Sequence, residues 1–120
     1  MNKKTIVIGA STNPSRYSHK AVIQLKRHGH DVIALGRKKG VINDTPIVTE
    51  LVDVEDVDTI TVYISKANQG ELLDIIRRIK PERVIFNPGA ENYDIVPDIT
   101  KLGIGSAEAC TLVLLSIGKY

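Results

Sequence analysis

The chain has 120 residues, 42% of them hydrophobic and 25% charged, and carries a formal net charge of +2. That length holds one domain with a real core but not two, and the composition excludes a disordered chain. So small a charge, with one Phe, four Tyr and no Trp, argues against a nucleic-acid partner, and no apolar run reaches the length of a membrane span.

Met1-Asn2-Lys3-Lys4 runs directly into Thr5-Ile6-Val7-Ile8, a β-branched apolar run that predicts the first strand. This start lacks the apolar core and small-residue cleavage site of a secretory leader, so a cytoplasmic location is expected. The strand ends in Gly9-Ala10-Ser11-Thr12-Asn13-Pro14. A helical pattern then begins near Ser18, a candidate cap, with Ala21, Val22 and Leu25 as its apolar stripe and Gly29 past its end. A strand feeding a helix through a small-residue loop makes an anion site. The first N–H groups of the helix lack intrahelical partners, and its dipole is positive there. Laid on the G-x-G-x-x-G pattern of dinucleotide sites, the glycine positions hold Gly9, Ser11 and Pro14. Only the first matches. Ser11 offers a hydroxyl to a phosphate oxygen and Pro14 stiffens the loop, so a phosphate fits better than a tightly held NAD. The loop also reads as an ordinary strand-to-helix turn.

Asp31-Val32-Ile33-Ala34-Leu35 predicts a second strand, apolar enough to be covered on both faces. Residues 36–45 are polar and glycine-containing, hence a loop; Pro46-Ile47-Val48 returns to the core, and Glu50-Leu51-Val52 reads as a short helical turn. Residues 59–64 predict a third strand. Ser65 is placed to cap a helix whose stripe is Leu72, Leu73, Ile76 and Ile79 and which Pro81 stops. Arg83-Val84-Ile85-Phe86 predicts the fourth strand, followed by the tight loop Asn87-Pro88-Gly89-Ala90. Ile95, Val96, Ile99 and Leu102 line another helix, residues 103–107 a weak fifth strand, and residues 111–117 a closing helix. This alternation predicts one α/β domain over residues 1–120. It is a Rossmann-like, doubly wound parallel sheet of about five strands between two helical layers, in the order 3-2-1-4-5. In that order the first and fourth strands are neighbours. Residues 9–13 and 87–90 then form the two walls of one crevice at the carboxyl ends of the strands.

The end of the second strand bears on which nucleotide fits. NAD sites commonly place an acid here, whereas a phosphorylated ribose is met by cations. The chain has Gly36-Arg37-Lys38-Lys39-Gly40 and no acid. Arg37 suits a forked contact to phosphate, with Lys38 and Lys39 adding positive potential. Three adjacent cations also make a solvated basic turn. As a ligand site, the turn suits coenzyme A, with its 3′-phosphate, or NADP, with its 2′-phosphate.

Together these segments resemble the small stand-alone CoA-binding proteins, related to the CoA-binding domain of the succinyl-CoA synthetase α subunit. The likeness rests on Val7-Ile8-Gly9-Ala10-Ser11 with Pro14, and on the basic turn. It continues through Pro46-Ile47-Val48 with Glu50-Leu51, Val57-Asp58, and residues 87–92 and 108–113, so it covers essentially the whole chain. The resemblance implies CoA binding, with Gly9, Ala10 and Ser11 at the pyrophosphate and Arg37 and Lys38 at the adenosine phosphate. Ile64 and Pro88-Gly89 would border the crevice; Asn13, Tyr17 and Asn87 complete the candidate binding set. The chain departs from the family at Gly36-Arg37, where Asn-Pro is common.

Catalytic signatures are absent from the sequence. There is no Tyr-x-x-x-Lys, no G-x-x-x-x-G-K-[ST] loop and no evident carboxylate pair. His19, His28 and His30 lack zinc spacing and are expected to be exposed helix residues. Cys110 alone excludes an internal disulfide; it reads as a small buried hydrophobe or as a thiol able to form a mixed disulfide with CoA. The expectation is a non-catalytic binder of CoA or an acyl-CoA, with no metal. The competing expectation is an NADP-dependent enzyme or enzyme subunit, for which so short a chain would need a homodimer or a partner enzyme.

Overall fold

The structure, a computed structural model, describes residues 2–120. Its strands are β1 (Thr5–Ile8), β2 (Val32–Leu35), β3 (Gly40–Ile42), β4 (Thr45–Val48), β5 (Thr59–Val62), β6 (Arg83–Phe86) and β7 (Gly105–Glu108). The helices are α1 (Tyr17–Arg27), α2 (Leu72–Ile79), α3 (Val96–Lys101) and α4 (Thr111–Ser116), with a 3-10 turn at Lys66–Asn68. The strands form one sheet in the order β3-β4-β2-β1-β5-β6-β7. Every neighbouring pair is parallel except β3 and β4.

The α/β class and the mostly parallel sheet match the sequence expectation, but the strand count and order do not. Residues 36–45 contain β3, and Pro46 lies inside a strand rather than beside one. Proline removes a ladder donor and so argues against a sheet interior. Here β4 still pairs with β2 through Ala34–Ile47 and Leu35–Val48, while only the three-residue β3 lies beyond it. Because β4 takes the third parallel place, each later strand moves along by one. The strand beside β1 is therefore β5, with Ile8 opposite Val62, and not β6.

Side chains alternate across the sheet, and both faces are covered. Ile6, Ile8, Ile60, Val62, Val84 and Phe86 pack with Leu72 and Ile76 of α2 and Ile99 of α3. On the opposite face Val7, Ala34 and Ile47 meet Val22 and Leu25 of α1 and Leu115 of α4. Residues 50–52 form no helical turn, and Ser18 is buried within α1 instead of capping it.

Candidate functional site

The first loop is tied to the end of β2. The Gly9 and Ala10 N–H groups both donate to the Leu35 carbonyl, each at 2.9 Å. Gly9 has φ +97°, and a Cβ there would stand 2.9 Å from Ile64 Cγ2, so both backbone conformation and space require glycine. Beyond it the loop is held by its own side chains. The Asn13 N–H donates to Ser11 Oγ (3.1 Å); the Ser15 N–H (3.0 Å) and hydroxyl (2.8 Å) donate to Asn13 Oδ1. His19 Nδ1 sits 2.8 Å from the Ser11 carbonyl oxygen, which makes His19 a half-buried tie between α1 and the loop rather than an exposed residue. No side chain at Arg16 caps α1, so the N–H groups of its first turn have no side-chain capping partner. Tyr17 opens that turn and is 68% exposed.

A cleft of about 860 Å³ lies at the carboxyl ends of β1, β2 and β4. Ile8, Leu35 and Leu51 line it from the sheet side; Ile64, Leu72 and Ile75 line it from the segment after β5 and from α2. Gly9, Gly36 and Arg37 stand on one rim, with Arg78 of α2 also lining the cleft. Among the described residues neither arginine is in an ion pair. Acidic groups line it too: Glu50, Glu71 and Asp74, the last 3.6 Å from Arg77. Lys38 is exposed on the same turn but outside the cleft. The apolar side chains suit a flat base and the two arginines suit phosphate, with three carboxylates on the same walls.

Of the residues singled out from sequence, the cleft gathers Gly9, Arg37 and Ile64. Ala10, Ser11, Asn13 and Tyr17 lie on the adjoining loop and helix start. The expected second wall at residues 87–90 is displaced, because β5 intervenes between β1 and β6. The wall is made instead by residues after β5, of which Ala67, Asn68 and Gly70 line the cleft. Asn87 is 1% exposed, and its amide is used inside the protein: it donates to Thr61 Oγ1 (2.7 Å) and the Val62 carbonyl (2.9 Å), and accepts from the Thr111 N–H (2.9 Å). Pro88 and Gly89 are exposed; the Gly89 N–H donates to Glu91 Oε1 at 2.9 Å. Leu51, Ile75 and Arg78 line the cleft without a local sequence signal, since Leu51 lies outside any loop motif, Ile75 outside the expected helical stripe, and a helical arginine reads as surface.

Gln69 holds the wall in place. It is buried, and its Nε2 donates to the Ile64 carbonyl (2.8 Å) and the Ala90 carbonyl (2.7 Å), while its Oε1 accepts from Asn92 Nδ2 (3.0 Å). Near α4, Cys110 is half-buried before the first helical residue. Burial raises the phenol pKa of Tyr63, whose hydroxyl has no hydrogen-bond partner. Among the described residues no group of three or more His, Cys, Asp or Glu side chains is placed to hold a metal, and no helix is long and apolar enough to cross a membrane.

The model of a family described as "CoA binding domain" matches residues 3–116. No curated protein matches the chain. Among solved structures, the crystal structure of an uncharacterized protein is 42% identical, covers 100% of this chain and 99% of its own, and superposes with a TM-score of 0.96. A protein from Thermus thermophilus is 19% identical, with coverage of 98% and 91% and a TM-score of 0.83. A hypothetical protein from Pyrococcus horikoshii OT3 is also 19% identical, with coverage of 93% and 80% and a TM-score of 0.83, so these two share the fold.

Proposed function

The chain belongs to the CoA-binding domain family, and from that membership we propose that it is a non-catalytic binding module for coenzyme A or an acyl-CoA. The observation that carries this reading is the cleft between the first loop and α2, lined by apolar side chains and by Arg37 and Arg78 beside Glu50, Glu71 and Asp74. In this reading the adenine enters the slot between Leu51 and Ile75. The diphosphate lies over Ser11 and Asn13, facing the first turn of α1 at Tyr17, where backbone donors and the dipole favour anions. Gly9 and Ala10 contribute closeness of approach, since their N–H groups are already bonded to Leu35. Arg37, with Lys38, takes the 3′-phosphate, and Ile64 forms an apolar wall. Asn87 supports the site from beneath, and Pro88 and Gly89 lie further along the same end of the sheet.

Calorimetric titration with CoA, dephospho-CoA, NADP and NAD tests this. The expected result is CoA binding that weakens when the 3′-phosphate is removed. Tight NADP binding without CoA binding would instead support a dinucleotide enzyme or subunit. Arg37→Glu is expected to weaken CoA far more than dephospho-CoA. A charge-assisted contact is worth about 1.5–3 kcal/mol, or roughly tenfold or more in affinity. Equal weakening of both ligands would place the phosphate elsewhere.

A further inference from the structure

The basic turn between β2 and β3 begins and ends on glycine, and both glycines press against the first loop. Where Gly36 would carry a Cβ stands the Ala10 carbonyl oxygen, with Ile47 Cγ2 at 3.0 Å on the other side. Where Gly40 would carry one stands Thr12 Cγ2. Neither glycine has a positive φ, so space and not backbone conformation demands them. The loop is bonded to the residue just before the turn, and the turn's first residue to the end of β4. The Gly9 and Ala10 N–H groups donate to Leu35, and the Gly36 N–H donates to the Val48 carbonyl at 3.0 Å. Between the two glycines stand Arg37, Lys38 and Lys39, all exposed and, among the described residues, all without an ion pair.

We infer that Gly36 and Gly40 are positioning residues that seat the three-cation turn directly on residues 10–12, and that this seating sets the preference for a ligand bearing a phosphomonoester besides its diphosphate. The inference rests on the CoA reading above. A charge-assisted bond spans only about 2.7–2.9 Å, so lifting the turn by a methyl's width removes it. The two ends differ in how they yield. At Gly36 the obstacle is backbone. At Gly40 it is the methyl of an exposed threonine.

The test measures the ratio of CoA to dephospho-CoA affinity in Gly40→Ala, in Gly40→Ala combined with Thr12→Ser, and in Gly36→Ala, with thermal melting to confirm folding. Gly40→Ala is expected to lower the ratio about fivefold or more. Thr12→Ser removes the crowding methyl but keeps the hydroxyl, and is expected to restore the ratio. Gly36→Ala is expected to lose it too; if that variant does not fold, the Gly40 pair alone decides. An unchanged ratio in Gly40→Ala, or a loss that Thr12→Ser does not restore, overturns the inference and leaves CoA binding standing. Failure of the unaltered protein to bind CoA overturns the reading beneath it, and the inference with it.

Discussion

Asn87 looks like a loop residue in sequence and acts as a rivet in the structure. Its amide joins β5, β6 and the start of α4. Asn87→Ala leaves the buried Thr111 N–H without its partner, at about 1–3 kcal/mol, while the Val62 carbonyl keeps the backbone N–H of residue 87. A fall in the urea midpoint of matching size is expected; a midpoint within experimental error of the parent would show the amide to be dispensable. Sequence could not reveal this role, because Asn-Pro-Gly has the composition of any surface turn. His30 is equally hidden. Its Nδ1 accepts the Lys3 N–H at 2.9 Å, and its ring lies against Tyr120. Burial, then the positive charges of the N-terminus, His28, Lys3 and Arg83, lower its pKa below the ordinary 6.5. As pH falls through that value the unfolded chain takes up the proton before the folded one, so stability is present above 6.5 and lost below it. Denaturant midpoints at pH 7.5 and 5.5 should therefore fall more in the parent protein than in His30→Asn.

Among the elements, those with continuous apolar or β-branched runs were legible: β1, β2, β5 and β6 all fall where their residues predict. So does α4, although its cap carries no side-chain bond. The failure came at β4, where proline breaks the expected pattern, and one missed strand moved the wall of the site across the sheet. β7 forms despite Gly105 because it pairs with β6 along its whole length. The faces of α4 make opposite predictions. Leu115 is buried among Val7, Val22 and Leu25, whereas Val113 is 52% exposed. Leu115→Ala is expected to cost about 2–5 kcal/mol, and Val113→Ser no more than about 0.5 kcal/mol, in chemical unfolding. Similar costs for the two would mean that the helix packs in another register.

For the whole molecule, the glycine and arginine beside the cleft were readable in the sequence and its apolar lining was not. Gly9 and Arg37 announce themselves by their place after a strand. Leu35, Leu51 and Ile75 become a slot only once three separate segments are brought together. If the exposed cations after β2 bind the ligand, affinity must depend on ionic strength. Raising salt in a CoA titration is expected to weaken binding more than in the same titration with dephospho-CoA, whereas parallel salt slopes would remove those cations from the contact. Gln69 carries a consequence of its own. One carboxamide laces the stretch beside the cleft to the bend that follows β6. Any movement of the near stretch would strain its bonds to that bend, and Asn92, held by the same Gln69, precedes Tyr93, whose hydroxyl donates to Glu108 in the edge strand.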